Sequence, residues 1–219
     1  MRRVMIGTPS YDGTVVVHYA HSLAETVKLG MTMGIDICTI FMSYDALIQR
    51  SRNDIVKLAL DHNFDDLIFI DSDQEWKPQW VIQLLQYEAD CVGGAVRKKS
   101  DIETYNVKAK NQHIPIDPLS GLMEVEGLGT GFLRLSNEAM MSLWNCSESY
   151  VDDFGKSNRW MFDVRPINGR LVGEDIIMSM KLRSMGINIY LDPKITCSHI
   201  GTKKWDGDFS AWLSKLQQK

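Results

Sequence analysis

Two carboxylates one residue apart, Asp71 and Asp73, have the type and spacing that metal chemistry requires. They follow the apolar run Leu67-Ile68-Phe69-Ile70, which is typical of a strand buried on both faces of a parallel sheet. Ligands of open α/β sheets bind beyond the carboxyl ends of the strands, where this turn must lie. Together with the oxygens of a nucleoside diphosphate, the pair could hold Mg²⁺ or Mn²⁺. The same motif also fits a turn that caps a helix, so alone it leaves both interpretations open.

Two later features could join this chemistry. Glu174 and Asp175 follow Gly173 and begin a stretch with helical periodicity. They fit either an acidic first turn favoured by the helix dipole or a general base on the acceptor side of a site. His199, followed by Ile200-Gly201, is either a structural histidine or a metal ligand.

The elements that must position these residues alternate regularly in the first half of the chain. Apolar patterns predict strands at 4–6, 35–41, 67–70 and 91–92, and helices at about 16–30, 53–62 and 78–87. Strand 91–92 is expected to end at Gly93-Gly94. Three strand–helix alternations indicate a right-handed, mostly parallel α/β sheet.

The second half is less regular. Residues 97–120 are polar and predict a long loop or flap. Further predictions are strands 123–125 and 131–135 paired with each other, helices 137–144 and 173–186, and a last strand 187–191 before Pro193.

Composition restricts the class of protein. With 219 residues the chain fits one sizeable α/β domain, and its net charge of −4 supplies no overall field for a polyanionic partner. The N-terminal apolar run breaks at Gly7 and Pro9, so we expect a first strand rather than a signal peptide, and no apolar run is long enough for a membrane span. Four scattered cysteines favour reduced thiols in a cytoplasmic protein (Cys38, Cys91, Cys146 and Cys197). No pattern in the sequence indicates an oligomeric state.

The order of these features is more informative than any one of them. After the first strand comes Thr8-Pro9-Ser10-Tyr11-Asp12, then Arg52-Asn53, Asp71-Ser72-Asp73, Gly127-Leu128-Gly129-Thr130-Gly131-Phe132, Gly173-Glu174-Asp175 and His199. This series resembles the GT-A glycosyltransferases of the large family 2 type, in particular compact forms encoded by bacteriophages. The resemblance spans roughly residues 4 to 201 and is poorest at 97–120 and 145–170.

The resemblance implies a fold and an activity. The fold is a single domain, 1–219, with a nucleotide-binding half at about 1–96 and an acceptor half at about 121–201. The activity is metal-dependent transfer of a sugar from a UDP-sugar to an acceptor hydroxyl, with inversion at the anomeric carbon. If the protein is phage-encoded, its compartment is the host cytoplasm.

The resemblance also implies roles for individual residues. In the donor site, Tyr11 packs on the nucleotide base, Asp71 contacts the ribose or reaches the metal through water, and Asp73 and His199 bind Mn²⁺ or Mg²⁺. On the acceptor side, Asp175 is the general base, and Glu174 supports it or touches the acceptor. The remaining implied contacts to donor or sugar are Thr8, Pro9, Ser10, Asp12, Arg52, Asn53, Ser72, Gly129 and Thr130.

The acceptor is less constrained. A basic cluster, Arg97-Lys98-Lys99, together with Lys108, Lys110, Lys203 and Lys204, is either a solvated charged surface or a phosphate-binding surface. The second interpretation leads us to expect DNA bearing a hydroxymethylated pyrimidine as acceptor, with flipping of the modified base. A surface polysaccharide or a protein acceptor is the alternative.

Two other classes of protein remain open. A haloacid dehalogenase-like phosphatase also places Asp-x-Asp after a buried strand and uses the first Asp as nucleophile. In that family a Thr or Val usually stands two positions after the second Asp, where this chain has Glu75. A nucleotide-sugar-binding protein without turnover would need Asp71 and Asp73 but not Asp175.

Overall fold

The computed structural model describes residues 1–109, 115–152 and 155–217. Its helices are α1 (Val17–Thr32), α2 (Ile48–Asp61), α3 (Pro78–Gln86), α4 (Asn137–Cys146), α5 (Glu174–Ser184) and α6 (Phe209–Gln217). Its strands are β1 (Arg3–Ser10), β2 (Asp36–Ser43), β3 (Asp66–Ile70), β4 (Gln74–Glu75), β5 (Cys91–Val96), β6 (Val107–Lys108), β7 (Met123–Val125), β8 (Gly127–Leu128), β9 (Phe132–Ser136), β10 (Ser149–Val151), β11 (Ser157–Arg159), β12 (Arg165–Ile167), β13 (Arg170–Val172), β14 (Ile189–Ile200) and β15 (Lys204–Trp205).

The described residues form a mixed nine-stranded sheet in the order β15-β14-β5-β9-β3-β1-β2, with β4 and β7 both paired to β14. The β1–β2, β1–β3 and β5–β14 pairs are parallel, in agreement with the mostly parallel sheet that the sequence predicts. Strand β9 lies antiparallel between β3 and β5. The architecture is that of a Rossmann-like α/β domain, more mixed in strand direction than the sequence indicates.

The core lies on both faces of this sheet. Successive residues of β3 alternate between two apolar clusters, with Leu67 and Phe69 in one and Ile68 and Ile70 in the other. Alternation of this kind follows from the two-residue period of a strand. Because helices cover both faces, every residue of β3 is apolar after Asp66, and Asp71 is the first partly exposed side chain beyond it.

The expectation that the fourth strand stops at Gly93-Gly94 is wrong. Strand β5 runs through both glycines to Val96. A Cβ on Gly93 would stand 2.5 Å from the Phe132 carbonyl oxygen, and one on Gly94 would stand 2.2 Å from a methyl carbon of Ile195. The two glycines therefore permit close approach of neighbouring strands inside the sheet.

Two other strand predictions need correction. Residues 123–125 do not pair with β9, because β7 pairs antiparallel with the start of β14. The last strand does not end before Pro193 either. Strand β14 continues to Ile200 through an irregularity between Asp192 and Thr196, which accommodates the proline and carries the strand on to His199.

Two helices also differ from their predicted bounds in ways that matter for the site. Helix α2 begins at Ile48, five residues before the predicted start, so Arg52 lies inside the helix. Helix α1 continues past Gly30 to Thr32. Among the described residues, no helix is long and apolar enough to cross a membrane.

Candidate functional site

The loops that follow β1 and β3 lie side by side. The two strands are parallel neighbours, with Gly7 opposite Phe69. Beyond them, the Val16 N–H donates a 3.1 Å hydrogen bond to the Ser72 carbonyl oxygen at the start of α1. Strand β1 continues past the predicted end at Ile6 to Ser10, so Thr8, Pro9 and Ser10 are strand residues rather than a loop. The structure brings this end of β1 and the turn after it next to Asp71-Ser72-Asp73, at the carboxyl ends of the strands.

Residues 8–12 divide into the buried end of β1 and an exposed turn that follows it. Thr8, Pro9 and Ser10 are buried, and the Thr8 hydroxyl shares a 2.5 Å hydrogen bond with the Tyr19 hydroxyl. Asp12 accepts a hydrogen bond from the Thr14 hydroxyl at 2.8 Å, which lowers the pKa of its carboxyl group. Tyr11 is 74 % exposed. Tyr11 therefore offers an exposed aromatic ring, whereas Thr8 and Ser10 bond inside the protein, Thr8 to Tyr19 and Ser10 to the Thr14 carbonyl oxygen.

Arg52 connects the Asp71-Ser72-Asp73 motif with the Glu174-Asp175 motif. Its side chain is only 3 % exposed and donates to Asp71 at 3.0 Å and, by a closer contact, to Glu174. Its Nε atom is buried and has no hydrogen-bond partner among the described residues. A buried guanidinium needs carboxylate partners to offset its desolvation, so this arrangement ties α2, the end of β3 and the start of α5 together.

Asn53, the neighbour of Arg52, makes different contacts. It is fully buried, and its amide accepts from the Phe162 N–H at 2.8 Å and donates to the Phe162 carbonyl oxygen at 3.3 Å. This two-way hydrogen bond attaches the segment before β12 to α2. The amide group of Asn53 is therefore engaged inside the protein by the Phe162 backbone.

Asp73 is surrounded by cationic or protonatable groups. Its Oδ2 accepts from the Lys99 ammonium at 2.6 Å, and its Oδ1 lies 3.2 Å from Nε2 of His199. Burial raises the pKa of the Asp73 carboxyl group, but the hydrogen bonds and charges of His199 and Lys99 outweigh burial and lower it to about 2. Asp73 is therefore an anion over the whole physiological range.

The loop that carries Lys99 is organised by Arg97. The Arg97 side chain is buried and donates to the carbonyl oxygens of Lys98, Ser100 and Ile102. The Arg97 carbonyl oxygen in turn lies 2.9 Å from Nδ1 of His199. One buried arginine thus shapes the turn after β5 and its backbone orients the imidazole.

Glu174 and Asp175 begin α5, as the sequence predicts. Asp175 Oδ1 accepts from the Ile176 N–H at 2.7 Å. Burial raises the pKa of the Asp175 carboxyl group, the Glu174 charge raises it further, and Arg52 counteracts this only in part. The acidic first turn thus contains a carboxylate with raised proton affinity next to one that a buried arginine holds in place.

The glycine-rich stretch lies directly under Asp71. The Asp71 N–H donates to the Gly131 carbonyl oxygen at 3.2 Å, and a Cβ on Gly131 would stand 3.1 Å from Asp71 Oδ2. Gly129 N–H donates to the Asn106 carbonyl oxygen, and Thr130 is 2 % exposed. The segment forms a small-residue floor that lets the Asp71 carboxylate lie against the backbone.

The three expected metal ligands do not converge. No group of three His, Cys, Asp or Glu side chains with metal-site spacing occurs in the described part of the chain. Asp73 and His199 lie together, while Asp71 bonds to Arg52. Because the Arg97 carbonyl oxygen can only accept, Nδ1 of His199 donates to it, and Nε2 is the ring nitrogen that faces Asp73. The donor set fits a divalent ion held by two side chains and completed by a diphosphate.

Most of the lysines suggested for phosphate contact have acidic partners. Lys203 pairs with Asp101 and Lys204 with Glu75, in addition to Lys99 with Asp73 and Lys108 with Glu126. Lys110 lies outside the described residues. Lys98 is exposed and makes no ion pair with the described residues. The positive charge available to a nucleic-acid backbone is correspondingly small.

Sequence reasoning did not place Arg97 and Lys99 beside Asp73 and His199. Both belong to a run of three basic residues that reads as a solvated loop. Nothing in the sequence separates Lys99 from Lys98, because the difference arises from the fold of the loop around Arg97.

Comparison with known proteins supports the fold alone. No protein-family model and no curated protein sequence matches the chain. The solved structure of A197 from STIV aligns over 92 % of this chain and 86 % of its own, with a TM-score of 0.57 and 18 % identity. A glycosyltransferase involved in glycosylation of the major capsid of PBCV-1 aligns over 63 % of this chain and 62 % of its own, with a TM-score of 0.36 and 8 % identity. A putative glucose-1-phosphate thymidylyltransferase from Bacillus anthracis aligns over 64 % of this chain and 74 % of its own, with a TM-score of 0.37 and 12 % identity. The chain therefore shares its overall fold with A197, and the two weaker alignments carry no argument.

Proposed function

We propose that this protein is a metal-dependent, inverting glycosyltransferase of the GT-A type that transfers a sugar from a UDP-sugar to an acceptor hydroxyl. The observation that carries the proposal is geometric: the buried Arg52 bonds both Asp71 and Glu174 and so holds the carboxylate pairs Asp71/Asp73 and Glu174/Asp175 at one site. The pKa of Asp73 is lowered to about 2, while that of Asp175 is raised. Titratable groups pushed apart in this way are typical of sites that divide acid, base and metal-binding roles.

The Asp73 side suits the donor. An anionic carboxylate and an oriented imidazole are two ligands for Mn²⁺ or Mg²⁺. When bound, such an ion supplies positive charge that stabilises the diphosphate leaving group. Tyr11 offers its exposed ring to the base, and Asp71, held by Arg52, faces the ribose.

The Asp175 side suits the acceptor. A general base works best when its pKa approaches the working pH, and burial beside Glu174 moves Asp175 in that direction. Asp175 takes the proton of the acceptor hydroxyl as the oxygen attacks the anomeric carbon, and the C–O bond to the diphosphate breaks on the opposite face. One displacement of this kind inverts the anomeric centre. Arg52 orients Glu174 and, through it, the first turn of α5.

The order of sequence motifs and the Rossmann-like fold support the same assignment. The structure does not favour DNA as the acceptor, because the lysines near Asp73 already pair with carboxylates. We therefore limit the acceptor to a hydroxyl group and leave a polysaccharide or protein as its source.

The test is thermal unfolding with UDP, in Mn²⁺ or in EDTA. A ligand present at 100 times its Kd stabilises the folded state by about 2.7 kcal/mol. We expect UDP with Mn²⁺ to raise the Tm of the wild type and of Asp61→Ala, but not of Asp73→Ala. Asp61 is a suitable control because it is an exposed aspartate at the end of α2.

Other outcomes would reassign the site. Stabilisation by UDP in EDTA would remove the metal from the proposal. If no nucleoside diphosphate stabilises the protein in any condition, the transferase proposal fails, and hydrolysis of a phosphate ester by a phosphatase mechanism becomes the next test.

A further inference from the structure

We propose that Lys99 is a donor-site residue that occupies the cation position on Asp73 in the free protein and transfers to the diphosphate when a divalent ion takes that position. This inference rests on the proposed function, because it concerns how the same site receives its nucleotide. It assigns a role to a residue that the sequence motifs leave out.

The first support is the complete occupation of the Asp73 carboxylate. One oxygen accepts from the Lys99 ammonium at 2.6 Å, and the other faces His199 at 3.2 Å. The carboxylate therefore has no oxygen free of a partner. A divalent ion that binds Asp73 and His199 must share or replace the contact that Lys99 makes.

The second support is the way the Lys99 side chain is held. A Cβ on Gly201 would stand 2.8 Å from the Trp205 ring and 3.5 Å from Cδ and Cε of Lys99. The methylene stem thus lies over the Gly201 backbone beside the indole, only two residues beyond His199. Arg97 fixes the turn from which the stem emerges. The base of the side chain is anchored, while the side chain as a whole remains 38 % exposed and its ammonium can move.

The electrostatics make the two cations competitors. A divalent ion and the Lys99 ammonium are both positive and would bind the same carboxylate, so each weakens the binding of the other by electrostatic repulsion. The ion therefore displaces the ammonium from Asp73. A diphosphate that arrives with the ion offers phosphate oxygens to the released ammonium, and lysine is a common phosphate-binding residue.

The neighbouring lysines do not share these properties. Lys203 and Lys204 pair with Asp101 and Glu75 and make no ion pair with Asp73. Lys98 is adjacent in sequence and exposed, and it makes no ion pair within the described residues. It is therefore a matched control for the loss of one positive charge from the same loop.

The experiment measures two affinities by titration calorimetry for the wild type, Lys99→Met and Lys98→Met. Methionine keeps the stem that packs near Trp205 and removes the charge. The first titration uses Mn²⁺ alone, and the second uses UDP at saturating Mn²⁺. Relief of the repulsion predicts Mn²⁺ binding about tenfold tighter in Lys99→Met, and loss of a phosphate contact predicts UDP binding about tenfold weaker. Lys98→Met should match the wild type in both titrations.

Tighter Mn²⁺ binding together with weaker UDP binding in Lys99→Met distinguishes the proposed role of Lys99 from a purely structural one. If Lys99→Met weakens both ligands, or behaves as Lys98→Met does, the proposal is overturned. Tighter Mn²⁺ binding with unchanged UDP binding overturns the transfer to the diphosphate. If UDP fails to bind even the wild type, the proposed function is wrong, while tighter Mn²⁺ binding in Lys99→Met would still show Lys99 as the internal cation of Asp73. Lys99→Arg, which keeps the charge, should retain weak Mn²⁺ binding.

Discussion

Two carboxylates of this protein, Asp73 and Asp175, are buried to a similar extent, but their pKa values are shifted in opposite directions. Asp73 lies beyond β3 among Lys99 and His199, and Asp175 lies in the first turn of α5 beside Glu174. Burial raises the pKa of both groups. For Asp73 the neighbouring cation and imidazole outweigh burial, whereas for Asp175 a second carboxylate adds to it. The charge of the nearest partner, more than depth, decides whether a carboxylate here suits a metal or a proton.

The largest effect that follows from this comparison concerns Asp175→Asn. A general base contributes about 10²- to 10⁴-fold to the rate, so we expect sugar transfer to fall by that factor while UDP binding is unchanged. The variant should also have a higher Tm at neutral pH, because asparagine removes a carboxylate whose charged form burial and Glu174 disfavour. Measurements of transfer from a UDP-sugar and of thermal unfolding test both expectations.

The matched control is Asp73→Asn, the same change on the other side of the comparison. It should lose metal-dependent UDP binding and also lose stability. An Asp175→Asn variant that transfers sugar at the normal rate would contradict the base assignment. An Asp175→Asn variant with the same Tm as the wild type would contradict the raised pKa of Asp175. A wild type that binds UDP without turning over any acceptor would favour the binding protein without catalysis.

A second effect concerns the arginine that joins the two sides. Arg52→Met leaves Asp71 and Glu174 without their shared buried cation, and removing one partner of a buried ion pair typically costs about 3–5 kcal/mol. The free energy of unfolding in urea measures this loss. In addition, the pKa of Asp175 should rise further, because Arg52 lowers it in the wild type. The acid limb of the activity profile should then move to higher pH.

Arg50→Met on the same helix is the control. Arg50 pairs with Asp45 and its side chain is 40 % exposed, so its loss should cost less than about 1 kcal/mol. Equal destabilisation by the two substitutions would show that the ion pairs of Arg52 contribute no more to stability than a surface ion pair does. An unshifted acid limb in Arg52→Met would remove the coupling between Arg52 and Asp175.

The parts of the site that could be predicted are those that depend on local sequence. An apolar run followed by Asp71-Ser72-Asp73 identifies a buried strand and its carboxyl end, and an acidic pair before a periodic segment identifies a helix start. Both predictions agree with β3 and α5. The alternating first half likewise predicts a mostly parallel sheet, and the pairs of β1 with β2 and β3 are parallel.

What could not be predicted depends on residues far apart in the chain. Arg52 meets Glu174 across 122 positions, and Lys99 meets Asp73 only because Arg97 folds the turn between them. Strand β5 passes through two glycines because its neighbours pack closely on them, and no periodicity reveals such a contact. The roles of the site residues thus stay predictions until ligand binding is measured.

The smallest and most specific effect is the pH dependence of stability. Folding lowers the pKa of Asp73 from 3.8 to about 2. Its ionised form therefore stabilises the protein above pH 4 by about 2 kcal/mol, and this contribution is lost as pH falls through 2. Asp175 has a raised pKa, so its charge costs stability above the unfolded pKa, and that cost disappears on acidification.

Urea unfolding of both asparagine variants between pH 6 and pH 2.5 should therefore give difference curves of opposite slope. Relative to the wild type, the deficit of Asp73→Asn shrinks as pH falls, and so does the advantage of Asp175→Asn. Asp61→Asn, an exposed control, should stay near zero throughout. Parallel curves for the two variants would mean that the charge of the nearest partner does not set the acidity of these carboxylates, and the division into a metal side and a proton side would lose its physical basis.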